Sequence, residues 1–248
     1  WIAARFPASL VSQGVGVPYR PDAAARLRLP ARADSLGALS AASPYGAGQF
    51  LLQYGIPITS RAATVNAVFG PLMWAFTDAE IQGWLAQGLL LDAVSAAILQ
   101  QRGFGAHLGV QVDALVPRAA APYALEQVVD PAAGVRPGHY LNANLLPAMG
   151  RLRADRNAVV WTRILQPDGR VFGDGWVVYR NRFGGLIATS AAPEPGQLPA
   201  CDQRRQLAHQ LVKTLARGRC DSPLVRGGPH LLPMHFEQQD RQLCEIGR

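Results

Sequence analysis

Six of the carboxylates between residues 113 and 194 are the first candidates for general acid–base or nucleophilic chemistry: Asp113, Glu126, Asp130, Asp168, Asp174 and Glu194. Hydrolysis by two carboxylates needs an acid and a nucleophile held at a defined separation. No spacing in this set pairs two residues in that way. Asp168 and Asp174 are better explained as turn residues, because each stands next to glycine. We therefore assign no catalytic residue among them.

A serine or cysteine nucleophile would be expected on a sharp turn between a strand and a helix. The sequence has no GxSxG motif, and Gly70, Pro71 and Leu72 follow the strand-like "NAVF". None of these three residues carries a nucleophile. Hydrolysis by a catalytic triad is therefore disfavoured.

The histidines and cysteines do not form a metal-binding pattern. His230 and His235 are five residues apart in a predicted strand, so their side chains point to opposite faces. His107 is far from both in the sequence, and we expect it in a surface or hydrogen-bonded role. Cys201, Cys220 and Cys244 form no CxxC pair, although one disulfide bond is compatible with them. The glycines near residues 14 and 46 do not complete a dinucleotide fingerprint. We predict no metal and no cofactor, and the cellular compartment stays open.

The composition favours a soluble globular protein without a membrane or nucleic-acid partner. No apolar run approaches the roughly 18–20 residues that span a bilayer. The net charge is +7, and of the 24 basic residues only Lys213 is a lysine. The arginines are scattered and lack interleaved aromatic residues, so the positive charge fits a solvated surface better than a phosphate-binding one.

The stretch from Gly88 to Val110, "GLLLDAVSAAILQQRGFGAHLGV", predicts an α/β unit. "LLL" is an unalternated apolar run, typical of a strand that is covered on both faces. Asp92 is placed to cap a helix whose buried stripe would be Val94, Ala97 and Ile98. Asp92 also stands at the carboxyl end of a strand, where α/β sheets bind ligands, but we favour the capping role.

The segments around this unit continue the α/β pattern. "TVNAVFGP" predicts a buried strand, and Thr77 with Glu80 forms a capping box for a helix that ends at Gly88. Gly103 is placed to end the second helix, and "HLGVQVDALV" would return to the same sheet as a parallel strand. We also expect a short helix ending at Gly55, followed by a strand.

From about Asp113 the pattern changes to short strands separated by turns. "QPDGR" and "FGDGW" predict turns between strands. "DQRRQLAHQLVKTLARG" then predicts an amphipathic helix with an apolar face, and "HLLPMHFEQQDRQLCEI" predicts a hairpin around Gln239 and Asp240. The apolar face of that helix consists of Leu207, Leu211, Val212 and Leu215.

The order of these elements resembles the middle domain of β-galactosidase-like glycoside hydrolases. "GIPIT" is followed by "FGPLMWAFTDAEIQGWLAQGLLLDAVSAAILQQRGFGAHLGV", which is similar to the strand, loop and helix of that domain. "VVYRNRFGGLIATSAA" and the helix from Gln203 to Ala216 resemble its later strand pair and helix. The resemblance covers roughly residues 48–240, is strongest in 64–112, and is absent from 113–175.

The resemblance implies an open flavodoxin-like sheet, as in class I glutamine amidotransferases, and carries no catalytic residue onto this chain. In the family, the catalytic glutamates belong to an N-terminal TIM barrel, a pattern that this chain lacks. The middle domain itself lacks the ancestral nucleophile, helps to form the wall of the sugar site and contributes to oligomer contacts. The partners implied are a carbohydrate substrate of the parent enzyme and a homo-oligomeric copy.

We therefore expect an irregular segment at 1–45, a flavodoxin-like α/β domain at 46–220 with a β-rich insertion at about 113–175, and the start of a C-terminal β-domain at 221–248. The chain would be a fragment or processed product of a longer protein. Its function would be that of a non-catalytic accessory part of a glycoside hydrolase in carbohydrate metabolism.

Two other functions remain open. A stand-alone carbohydrate- or small-ligand-binding module could stack sugars on tryptophan rings, namely Trp74, Trp84, Trp161 and Trp176. Of these, Trp84 is expected to serve the core instead. A separate α/β hydrolase or amidotransferase would need a nucleophile that the sequence does not supply.

Overall fold

A computed structural model describes residues 2–4, 50, 53–54, 65–144, 146–193, 195, 198 and 201–218 of the 248-residue chain. The strands are β1 (Ile2–Ala4), β2 (Val65–Val68), β3 (Gly88–Leu91), β4 (Val110–Pro117), β5 (Leu125–Val128), β6 (Tyr140–Asn142), β7 (Ala148–Ala154), β8 (Val159–Val160), β9 (Thr162–Leu165), β10 (Val171–Asp174), β11 (Trp176–Arg180) and β12 (Leu186–Ser190). The helices are α1 (Asp78–Gln87), α2 (Ala93–Gln101) and α3 (Asp202–Arg217), with short 3-10 turns at Gly70–Ala75, Gly105–His107 and Pro131–Ala133.

The strands form two six-stranded sheets, which confirms the mixed α/β class. The first sheet has the order β1-β2-β3-β12-β11-β8, and its first four strands are parallel. The second has the order β4-β7-β10-β9-β5-β6 and is antiparallel throughout. Within the described residues, no helix is long and apolar enough to cross a membrane.

The local signals around α1 and α2 are confirmed. The Thr77 hydroxyl accepts a hydrogen bond from the Glu80 amide, and the Glu80 carboxylate accepts one from the Thr77 amide. Gly103 adopts the left-handed conformation just after α2, with φ of +88°. Every residue of β3 is buried, as the apolar run predicts.

The predicted buried stripe of α2 is only partly correct. Ile98 is buried, but Val94 and Ala97 are half-buried, whereas Ser95 and Leu99 are buried. The reason is that α2 contacts both sheets, through β3 and β12 on the first and through β4 and β7 on the second. A helix covered from two directions has no single apolar stripe.

The expectation that the strand after α2 returns to the same sheet is wrong. The parallel neighbour of β3 on that side is β12, and β4 begins the second sheet as the antiparallel partner of β7. The physical reason lies in the side chains. All five residues of β12 are buried, whereas exposed residues interrupt β4, and only the former pattern suits a strand covered on both faces.

The remaining predictions are partly confirmed, and some concern residues that the structure does not describe. The strands between 159 and 190, the turn at "QPDGR" and the apolar face of α3 are confirmed. The turn predicted at "FGDGW" is wrong, because only Gly175 separates β10 from β11 and the chain passes there from the second sheet to the first. Strand β1 was not predicted and pairs in parallel with β2. Phe50 and Gln53 are helical, but the strand expected after Gly55, Glu194 and the hairpin around Gln239 lie outside the described residues.

The turn between β11 and β12 packs closely against the end of α1. The Asn181 side-chain amide donates to the Leu85 carbonyl (2.7 Å), and a Cβ atom built on Gly185 would lie 2.1 Å from the same carbonyl oxygen. Only glycine therefore fits at position 185 without displacing backbone. Gly83, on the exposed side of α1, has no atom within 4 Å of such a Cβ.

The two glycines should respond in opposite ways to alanine. G185A should lower the free energy of unfolding by about 1–3 kcal/mol, because backbone must move to admit the methyl group. G83A should raise it by up to about 1 kcal/mol, because alanine favours the helix. Urea unfolding curves measure both values, and equal effects of the two substitutions would contradict this packing.

Candidate functional site

The carboxyl edge of the parallel strands, where α/β sheets place ligands, is built around Asp92. This side chain is fully buried at the end of β3. Its Oδ1 accepts from the Ser95 amide (2.7 Å) and its Oδ2 from the Gly70 amide (2.8 Å). The Ser95 hydroxyl donates in turn to the Gly70 carbonyl (3.1 Å). Asp92 is thus the N-cap of α2, as predicted, and it also connects Gly70, the second residue after β2, to that helix.

A second buried polar cluster joins α3 to the second sheet. Arg204 Nη1 donates to Glu126 Oε2 (2.6 Å), and Arg204 Nη2 donates to the Asn142 carbonyl (2.9 Å). Glu126 Oε1 accepts from the Thr162 hydroxyl (2.7 Å). Both charged side chains are 3% exposed. The cost of removing these charges from water is offset only by such close pairing and by the additional hydrogen bonds.

Tyr54 lies close enough to this cluster for the charges of Arg204 and Glu126 to affect its pKa. Burial raises the pKa of Tyr54 to about 12, with the positive charge of Arg204 opposing the rise and Glu126 adding to it. The phenol therefore remains protonated at neutral pH, and it donates to the Pro195 carbonyl (3.3 Å). His209 Nε2 donates to the Tyr54 carbonyl (2.7 Å). These contacts connect the segment around Tyr54 to α3.

The space beside Glu126 is too small for a sugar ring. A cavity of ≈ 10 Å³ is lined by Glu126, Met149, Ile164 and Ser190, among others. Such a volume holds about one water molecule. The side chains of the cluster therefore bind and orient one another. The cavity cannot admit an organic substrate in this conformation.

Arg204 was missed in the sequence, although a signal for it existed. It precedes Leu207 by three residues and Ala208 by four, so it stands on the apolar face of α3. An arginine at such a position must either reach solvent or find a buried acceptor. Glu126, 78 residues earlier, was recognised only as one of several carboxylates.

The other candidate carboxylates are dispersed and serve local structure. Asp168 accepts from the Arg170 amide (3.0 Å), which confirms its turn role, and Asp130 accepts from the Ala132 amide (2.7 Å). Asp174, predicted as a turn residue, instead ends β10 and accepts from the Ala154 amide of β7 (2.8 Å). Asp113 lies on the surface, 3.5 Å from Arg153. The structure does not bring these groups together as an acid and nucleophile pair.

Neither a metal cluster nor a tryptophan platform is assembled in the described part of the chain. No group of three or more His, Cys, Asp or Glu residues there could hold a metal ion. Trp84, Trp161 and Trp176 are buried, with exposed fractions of 5%, 0% and 2%. The prediction that Trp161 and Trp176 could stack on sugars is therefore wrong, because they fill the core, whereas Trp84 is a core residue as expected. Cys201, at the N-cap of α3, is disulfide-bonded.

His107 forms a compact cluster at the surface end of the first sheet. Its ring is 9% exposed and lies 4.9 Å from the exposed ring of Phe183. Arg182 Nη2 lies 3.3 Å from His107 Nε2, and since arginine only donates, Nε2 must accept. Burial, and then the positive charge of Arg182, lowers the pKa of His107 from its ordinary value of 6.5.

Comparisons with known proteins give no family for this chain. No family model matches it, and no curated protein matches it. Among solved structures, it is similar to a cytoplasmic protein from Salmonella typhimurium, with 14% sequence identity and a TM-score of 0.40. That match covers 85% of this chain and 79% of the other. A TM-score of 0.40 is too low to define a shared fold.

Substitution of Arg204 should be far more costly than substitution of its neighbour. R204A should lower the free energy of unfolding by about 3–5 kcal/mol, because it leaves Glu126 buried without its partner. R205A removes only an exposed contact with Asp202 and should change stability by at most about 1 kcal/mol. Urea unfolding measures both. A cost for R204A no greater than that for R205A would show that the buried pair is not formed.

Stability should fall in mildly acidic solution because of His107. A pKa that is lower in the folded chain means that the unfolded chain binds the proton more readily. The stabilisation is therefore complete above about pH 6.5 and is lost as the pH falls from there through the lowered pKa of the folded state. Unfolding curves at a series of pH values test this. H107Q should remove this component of the pH dependence, whereas H139Q, at a half-buried histidine outside this cluster, should retain it.

Proposed function

We propose that this chain is a non-catalytic, structural part of a β-galactosidase-like glycoside hydrolase. In this proposal the first sheet corresponds to the open flavodoxin-like sheet of the middle domain, which is similar to that of class I glutamine amidotransferases. The second sheet is the β-rich insertion. The domain would pack beside a catalytic barrel, contribute to the wall of its sugar site and contact a sister subunit.

The observation that carries the proposal is the engagement of Asp92 at the carboxyl edge of the parallel strands. In α/β enzymes this edge normally holds the ligand. Here both carboxylate oxygens of Asp92 accept backbone amides, and Ser95 closes the same loop onto Gly70. An edge used for such internal hydrogen bonds suits a structural domain better than a catalytic one.

The buried charges support the same interpretation. Glu126 is held by Arg204 and Thr162, and Asp130 caps a 3-10 turn. A carboxylate that donates or accepts a proton during catalysis must reach its substrate within hydrogen-bonding distance. These carboxylates instead accept hydrogen bonds from other parts of the same chain. Their role in this proposal is therefore to stabilise the fold and to orient its segments.

The chain should therefore show no hydrolysis of aryl β-galactosides. The purified chain would be incubated with nitrophenyl β-galactoside, and nitrophenol release should equal that of buffer. Turnover that disappears on substitution of a single carboxylate, such as Asp113→Asn, would contradict the proposal, because it would place catalysis within these residues. An enzyme contaminant is recognised by turnover that all such variants retain.

The parentage is tested separately in the encoding gene. The coding sequence before the codon for Trp1 should encode alternating strands and helices of a (β/α)8 barrel, with two glutamates at strand ends. A start codon close to Trp1 together with a stop codon just after Arg248 would contradict the proposal that the chain belongs to such an enzyme.

A further inference from the structure

Four polar side chains stand side by side on four adjacent strands of the second sheet. Asp174 on β10 is paired with Arg163 on β9, Arg163 with Gln127 on β5, and Gln127 with Tyr140 on β6. Directly opposed residues in an antiparallel sheet share a face. We call this set of four residues the polar row. Its length is about 14 Å, three strand spacings of roughly 4.8 Å.

The polar row faces solvent along β9, β5 and β6, and its Asp174 end borders the buried Leu152 of β7, which lies directly opposite Asp174. Arg163 and Tyr140 are exposed, the latter by 40%, and Gln127 and Asp174 are half-buried. The residues that alternate with them and point to the opposite side are buried: Ile164, Glu126 and Leu141. The buried Glu126–Arg204 pair therefore lies behind the polar row and holds its strands from the interior.

Internal hydrogen bonds orient both ends of the polar row. Gln127 Nε2 donates to the Tyr140 hydroxyl (3.1 Å), which restricts the position of the exposed ring. Asp174 Oδ2 accepts from the Ala154 amide (2.8 Å), which anchors the carboxylate. A surface whose groups are already oriented loses less entropy when it binds a ligand.

We propose that the polar row binds a neutral oligosaccharide, with one sugar ring on Tyr140 and its hydroxyl groups on Gln127, Arg163 and Asp174. Sugar hydroxyls both donate and accept hydrogen bonds, so they match an array of amide, guanidinium and carboxylate groups. The apolar face of a sugar ring matches the exposed aromatic ring, as in other sites where a tyrosine supplies contact area.

Charge decides between this ligand and its alternatives. Arg163 and Asp174 carry opposite charges, so the row has no net charge and complements an uncharged ligand. A polyanion would meet the carboxylate of Asp174. A protein partner would have to desolvate both charges without a deep apolar anchor, which is costly. The proposal rests on the proposed function only for the choice of galactosides as the sugar.

The test is calorimetric titration of the full chain with β-linked galacto-oligosaccharides of increasing length. The unmodified chain should bind with a Kd of about 1 mM or tighter. Y140A and R163A should each weaken binding by about fivefold to tenfold. F183A removes a similarly exposed ring in the turn between β11 and β12, and R153A removes an exposed arginine on another part of the second sheet. Both controls should bind normally.

Each outcome decides the proposal. Loss of binding in Y140A and R163A but not in the controls supports it. Equal binding by all variants, the absence of binding, or binding of polygalacturonate only would overturn it. Self-association of the chain that Y140A abolishes would assign the row to a second copy and would also overturn it. Because Tyr140, Arg163 and Arg153 are exposed, the unfolding curves of Y140A, R163A and R153A should stay unchanged and exclude misfolding as the cause. Since this assay measures no hydrolysis, its failure leaves the proposed structural role intact.

Discussion

Arg204 projects from α3, a helix that contacts β2, β3 and β12 of the first sheet, and its guanidinium reaches Glu126 on β5 of the second. This buried ion pair constrains the arrangement of the two sheets more than any single apolar contact, because it is directional. A buried guanidinium tolerates few positions for its carboxylate, and Thr162 and the Asn142 carbonyl complete the set of partners. Replacing such a pair with apolar residues can be neutral in stability, so its value here is orientation.

Directional hydrogen bonds to a buried carboxylate also fix the edge of the first sheet. Asp92 connects the ends of β2 and β3 through backbone amides, in the place where an α/β enzyme would hold its ligand. The tryptophans are used in a similar way, since Trp161 and Trp176 are core residues. The buried charged and aromatic side chains that could have taken part in catalysis or ligand binding thus stabilise the interior of the protein instead.

The solvent side of the second sheet differs from the interior in this respect. Its strands are antiparallel, buried residues alternate with half-buried ones along β5, and Arg163 is exposed between buried neighbours on β9. Such a sheet presents a flat surface with side chains in register on neighbouring strands.

The sequence alone determined the features whose causes lie within a few residues. The capping box of Thr77 and Glu80, the cap at Asp92 and the left-handed Gly103 depend on hydrogen bonds or backbone angles in one helical turn, so they could be predicted. The apolar face of α3 follows from its period of 3.6 residues. The α/β class followed from the same local patterns.

Only the tertiary structure decided which strands pair. The departure of β4 from the first sheet, the place of β12 beside β3 and the ion pair between Glu126 and Arg204 each join residues far apart in the chain. The polar row likewise exists only because four strands meet in one register, and a shift of one residue would turn its side chains to the other face. Local propensity indicates that a segment is extended but not which strand it pairs with, because the partners lie far apart in the sequence. The choice among them is made by the packing of the whole core.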